Sequence, residues 1–137
     1  MWTISYAADS TASPEAIWRH LADVDRWATW NDGVESIRLD GPFAVGSAFT
    51  MLTGGEQIRT RIAVVDAPRR YVDETDVGGA VVRVSHELAP LPSGGTRITF
   101  RLDVDGPDGD EVGPEIGPAI SADFPAVIAK LARIAAS

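Results

Sequence analysis

Between Ser47 and Leu88 four apolar-rich runs are separated by gaps too short for anything but tight turns, and that spacing constrains the fold more than any other feature. Ser47–Leu52, Gln57–Val65, Tyr71–Val77 and Ala80–Leu88 each read as a strand, with β-branched and aromatic residues recurring at a period of two. Gly54–Gly55 and Gly78–Gly79 supply residues free to take positive φ, as a two-residue hairpin loop demands. Ala67–Pro68 reads as a third turn of the same length. Strands joined this tightly are antiparallel neighbours.

Three two-residue turns also set the register, because directly opposed residues share a face of the sheet. One face collects Ala48 opposite Arg61, Arg61 opposite Glu74, Glu74 opposite Arg83 and Arg59 opposite Asp76. That charge ladder belongs in water, and a charge-reversing Glu74→Lys is expected to be mild. The other face collects Phe49, Met51, Ile58, Ile62, Val64, Val82, Val84 and Leu88. The same partition places Thr60, Tyr71, Asp73, Thr75 and His86 among these aliphatic residues, with Tyr71 opposite His86 and Asp73 diagonal to it. Unpaired burial of a carboxylate or an imidazole costs several kcal/mol, so these groups are paired, hydrated or reserved for a ligand.

The flanking segments complete the pattern. Trp2, Ile4 and Tyr6 alternate with Thr3, Ser5 and Ala7 as a half-buried strand. Ser13, Pro14 and Glu15 form a helix start, and that helix runs to about Ala22 with Ile17 and Leu21 on one side. Asp23 or Asp25 can cap a second short helix through Trp27 and Trp30. Strands follow at Val34–Leu39, before a turn at Gly41–Pro42, and at Thr96–Val104, after the loop Pro90–Gly95. Asp105–Glu111 is an acidic, Gly/Pro-rich connector. From Pro118 to Ala136 the chain reads as one long helix, with Ile120, Phe124, Val127, Leu131 and Ile134 on a single stripe and a kink at Pro125.

Composition narrows the function. At 137 residues the chain is expected to form a single domain, 1–137. A net charge of −8 argues against nucleic acid and anionic membrane surfaces as partners. Cysteine is absent, which excludes disulfides and thiol catalysis. No apolar run approaches the roughly 20 residues of a membrane span, so stable membrane insertion is not expected, and the location read from this pattern is cytoplasmic. Monomer and homodimer both remain open. The acids Asp103, Asp105, Asp108, Asp110 and Glu111 lack the spacing of a calcium loop, so no metal is expected there. His20 reads as a surface residue on the first helix.

The element order, a strand, two short helices, six strands and a long helix, resembles the START-like (SRPBCC) superfamily with its helix-grip fold. Three local stretches carry the resemblance: Asp23 through Trp30, Asp66-Ala67-Pro68-Arg69-Arg70 with Gly46 before its strand, and Leu88 followed by Gly94-Gly95-Thr96. The chain is most similar to the polyketide cyclase/dehydrase-like and lipid-transport branch. The resemblance implies an α+β domain whose seven-stranded antiparallel sheet curves around the C-terminal helix and encloses a hydrophobic cavity. It transfers no catalytic residue, because members share the cavity and differ in what lines it.

The expected function is therefore to bind a hydrophobic or amphipathic small molecule, such as a lipid, a polyketide or an aromatic metabolite, without a cofactor. Tyr71, Asp73, Thr75, His86 and Thr60 would orient it, and Trp30, Phe49, Met51 and Phe124 would supply apolar contact. The alternative is a cyclase or dehydratase using no metal or nucleotide, in which His86 moves a proton and Asp73 orients it. A third class is a protein-interaction module.

Overall fold

A computed structural model describes residues Met1–Ser137. Its strands are β1 (Trp2–Ser10), β2 (Ser36–Asp40), β3 (Ala48–Thr53), β4 (Glu56–Asp66), β5 (Arg70–Asp76), β6 (Val81–Pro90) and β7 (Thr96–Asp105). Helices α1 (Pro14–Ala22), α2 (Gly109–Ser121) and α3 (Phe124–Ala135), with a 3₁₀ helix at Val24–Thr29, complete it. The strands form one seven-stranded sheet in the order β1-β7-β6-β5-β4-β3-β2. Every pair is antiparallel. This is the α+β helix-grip arrangement: β2 to β7 meander back to β1, and α2 and α3 cross β1 and β7 on the inner face.

Local chemistry explains most of these elements. Ser13 caps α1, its hydroxyl accepting from the Ala16 N–H at 3.2 Å, and Pro14 occupies the first turn. Gly54 and Gly55 take φ of 58° and 81° in a two-residue loop, which matches the twist of the flanking strands. Along β6 and β7, Val82, Leu88, Ile98, Phe100, Leu102 and Val104 point to one face and join Ile17 and Leu21 of α1 and Ile128 and Leu131 of α3 in the core. Trp2, Ile4 and Tyr6 lie on that same face of β1, but Ile4 and Tyr6 are 40% and 41% exposed. They sit on an edge strand, with a paired neighbour on one side only.

The register holds by a route that turn lengths alone do not disclose. The β4–β5 connection is three residues, Ala67 to Arg69, because Asp66 pairs with Arg70. A bulge between Ile62 and Val64 inserts one extra residue into β4, and the two departures cancel. Arg61 therefore lies opposite Glu74, and Ile62 opposite Asp73, as two-residue turns require. Between bulge and turn the faces are exchanged. Val65, not Val64, pairs with Tyr71 and packs on the core.

On the outer face Glu74 accepts from Arg83 Nε at 2.8 Å and lies 3.2 Å from Arg61 Nη2. Arg59 does not meet Asp76; it turns to Asp40 at 2.9 Å, while Asp76 takes Arg61 at 2.8 Å. Glu74→Lys is thus expected to lose two ion pairs, at a cost of about 1–2 kcal/mol without unfolding. Urea titration checks this, and collapse of the fold would contradict the outward placement of Glu74.

The C-terminal region differs most from the pattern in the sequence. It is two helices rather than one, and the first begins at Gly109 inside the stretch read as a connector. Pro125 does not kink a continuous helix: it lies in the first turn of α3, where a missing N–H costs nothing. The break falls at Ala122–Asp123. In α2 the buried residues are Gly109, Gly113, Gly117 and Ser121, spaced by four. Trp2 fills the shallow groove this spacing leaves, since a methyl group at Gly113 or Gly117 would overlap its side chain. A helix with three glycines and internal prolines at 114 and 118 is a poor one by propensity, so this tertiary seat holds it.

Candidate functional site

The inner face stops short of filling itself. Between β3–β7, the 3₁₀ helix and the α2–α3 junction lies a cavity of about 730 Å³. That is the size of a small-molecule site. Its walls come from Met51, Ile58, Val82, Val84 and Phe100 of the sheet, Trp27 of the 3₁₀ helix, and Phe124 and Val127 of α3. Its rim comes from Asn31, Gly33 and Val34, from the two Gly-Gly hairpins through Thr53, Glu56 and Val77, and from Ile120 and Asp123. Val77 and Ile120 stay 40% and 38% exposed there. A smaller hollow of about 330 Å³ lies on the outer face at β2 and β3 and holds none of these groups.

Of the residues singled out in the sequence, Thr60, Asp73, Thr75, His86, Met51 and Phe124 reach the cavity. Tyr71, Trp30 and Phe49 do not line it; all three are buried in the core. Trp27 holds the lining position instead, its Nε1 donating to the Leu21 carbonyl at 3.0 Å. Phe49 and Trp30 back it edge-on, with ring centres 5.4 and 6.2 Å away. Trp30 Nε1 is buried without a partner. Spacing cannot rank two tryptophans three apart on a 3₁₀ turn, because they share a side.

Tyr71 organises the polar floor from behind. Its hydroxyl donates to Asp73 Oδ2 at 2.7 Å, and its carbonyl lies 3.1 Å from His86 Nδ1. Its ring stacks on the His86 imidazole with centres 4.6 Å apart and planes 11° from parallel. Phe100 meets the imidazole edge-on at 4.7 Å. A carbonyl only accepts, so Nδ1 carries the proton and Nε2 presents its lone pair. No hydrogen bond joins Asp73 to His86, so Asp73 does not set the imidazole tautomer; Tyr71 does. Asp73 Oδ1 and His86 Nε2 have no partner in the protein, yet neither is sealed from solvent space. They face the cavity. Beside them Thr60 and Thr75 share a hydrogen bond of 2.7 Å.

Burial sets the charge states. It lifts the Asp73 carboxyl to about 7; the Tyr71 hydroxyl opposes this and Glu74 adds to it. It lowers His86 to about 4, against the pull of the Tyr71 carbonyl, so the imidazole is neutral near pH 7. Burial, with Asp73 beside it, raises Tyr71 well above the usual phenol value. At the rim the loss of solvent raises Asp123, opposed by its own backbone. Asp123 reads from the sequence only as an acid inside a long helix; the break at Ala122–Asp123 is what brings it to the rim.

Residues 1–136 match the family described as polyketide cyclase/dehydrase and lipid transport. The chain belongs to that family. Membership fits the binding of small molecules in general, and it agrees with a cavity open at its rim and walled by apolar side chains. Among curated proteins no sequence matches the chain. Solved structures similar to it include norcoclaurine synthase from Thalictrum flavum in complex with dopamine and hydroxybenzaldehyde. That likeness has TM-score 0.77 at 15% identity, over 97% of this chain and 85% of that one. A hypothetical protein of Helicobacter pylori is similar at TM-score 0.78 and 12% identity, over 98% and 88% of the two chains. A START superfamily protein of Mycobacterium smegmatis is similar at 0.62 and 16%, over 76% and 77%. At these identities the likeness is one of fold. No helix of the chain is long and apolar enough to cross a membrane.

Proposed function

We propose that this protein binds a hydrophobic or amphipathic small molecule, a lipid, polyketide or aromatic metabolite, in the cavity between sheet and helices. The carrying observation is a cavity of about 730 Å³ with apolar walls and two unpartnered polar atoms on its floor. A core built only for stability fills such a space, because an apolar void forfeits contact energy and an unpaired polar atom costs more. The walls supply affinity, and Asp73, His86, Thr60 and Thr75 fix orientation. Tyr71 acts one layer back, as a positioning residue. A similar fold was solved with dopamine and hydroxybenzaldehyde, and small aromatic molecules fall within the class proposed here.

Native mass spectrometry of protein purified from its own host is expected to show a reproducible added mass that denaturation removes. In Val84→Trp, where an indole occupies the cavity, that mass should disappear. An unliganded wild type that also takes up no lipid or aromatic compound from a panel would count against the proposal.

One observation favours a second reading, a cyclase or dehydratase. A carboxyl poised at about 7 faces the cavity and can accept or return a proton near neutral pH. His86 is a weaker base, so in this reading Asp73 moves the proton and His86 Nε2 accepts a hydrogen bond from the substrate. Turnover lost in Asp73→Asn while the substrate still binds would separate an enzyme from a carrier.

A further inference from the structure

We infer that the ligand is an amphipathic amine, seated with its ammonium group between Asp73 Oδ1 and His86 Nε2 and its apolar body against Trp27 and Phe100. The inference rests on the small-molecule reading above and adds the chemistry of the polar end. With Asp73 ionised, the floor presents two acceptors beside the Thr60–Thr75 hydroxyl pair: the free carboxylate oxygen, and an imidazole lone pair whose direction is set by the bond from Nδ1 to the Tyr71 carbonyl. An ammonium group has three donors and no acceptor, which complements that pair. A ligand carboxylate or phosphate brings only acceptors and negative charge, and meets a carboxylate and a lone pair.

No cation offsets this. Arg59 is the only lysine or arginine around the cavity, and its guanidinium is held on the outer face by Asp40 at 2.9 Å and Thr50 at 3.3 Å. The acids divide the same way. Asp76 at the rim is neutralised by Arg61, whereas Glu56 and Asp123 enter no ion pair. A charged molecule entering the cavity therefore passes two unpaired carboxylates and reaches the Asp73 carboxyl, which an ammonium group draws into its ionised form and a ligand carboxylate holds in its protonated form. A buried carboxyl discriminates between an ammonium group and a like charge more strongly than an exposed one, because water does not screen it.

The test uses the whole protein and three probes with the same body: decylamine, decanol and decanoate. Each displaces the uncharged fluorophore phenylnaphthylamine at neutral pH and about 0.15 M salt, where the Debye length of about 8 Å damps attraction to the acidic surface. Decylamine is expected to bind at least about tenfold tighter than decanoate, a difference of about 1.4 kcal/mol. In Asp73→Asn, checked for folding by circular dichroism, the amine-to-carboxylate ratio should fall toward one.

Decanoate binding as tightly as decylamine would overturn the amine assignment and leave the small-molecule reading standing. A cavity that takes up neither fluorophore nor any probe would remove both. A ratio that survives Asp73→Asn would overturn the seat at Asp73. If that variant does not fold, the wild-type ratio decides alone.

Discussion

Replacing Gly113 with alanine is expected to destabilise the protein by about 3 kcal/mol, although alanine is the better helix former by about 1 kcal/mol. The new methyl group would overlap Cβ and Cγ of Trp2, the part of that side chain closest to the β1 backbone. Ring rotation does not move those atoms, so α2 or β1 has to shift. At Gly117 the overlap is with Cζ3, Cη2 and Cε3, the far edge of the same indole. Gly117→Ala should therefore be rescued by Trp2→Ala, whereas Gly113→Ala should not, because Trp2→Ala retains Cβ. Urea unfolding of the two singles and the two doubles measures this as a pair of double-mutant cycles. Gly113→Ala at wild-type stability would show that Trp2 does not lock α2 in place.

The second large effect runs the other way: Asp73→Asn should stabilise the protein, and increasingly so as pH rises. In the folded chain Asp73 holds its proton up to about 7, against an ordinary value of 3.8. Its carboxyl is thus raised on folding, so its contribution to stability is full below about 3.8 and is lost as pH climbs through about 7. Asparagine has nothing to titrate. The gap between the two proteins should widen across this window by an amount on the order of 4 kcal/mol, at about 1.4 kcal/mol per pH unit. His86 works oppositely, since its folded value of about 4 lies below its ordinary 6.5 and its contribution grows with pH between them. That term is common to both proteins and largely cancels in the difference. Urea titrations near pH 4 and pH 8 check the claim, and a gap constant with pH would mean that Asp73 is not desolvated. A residue whose removal stabilises the fold is retained for something other than folding.

Much of the sheet was legible in the sequence, and the reason is that its determinants are local. A period of two assigns faces, and glycine pairs in the hairpin loops assign registers. Tyr71 opposite His86 and Glu74 opposite Arg83 follow directly and are found. The same arithmetic placed Asp73, Thr60, Thr75 and His86 on the inner face, where they line the cavity. At Arg61 and Glu74 it reached the observed pairing through a turn one residue short and a bulge it did not include. The end of α1 that Ser13 caps and Pro14 opens was equally local, a matter of one hydroxyl and one N–H three residues away.

What only the tertiary structure decided is how elements distant in the chain meet. The break at Ala122–Asp123, the Trp2 seat on Gly113 and Gly117, and the choice of Trp27 over Trp30 as lining all depend on packing between such elements. Propensity reads Asp105–Glu111 as a connector and starts the helix only at Pro118, because it weighs each residue against its neighbours and not against an indole contributed from the other end of the chain. Asp73 likewise had two candidate partners within reach. The hydroxyl of Tyr71, two residues away on the same face of β5, took it and left the imidazole to a carbonyl. Hydrogen-bond partners and van der Waals fit are settled at ångström scale in three dimensions, whereas periodicity and turn chemistry are settled along the chain.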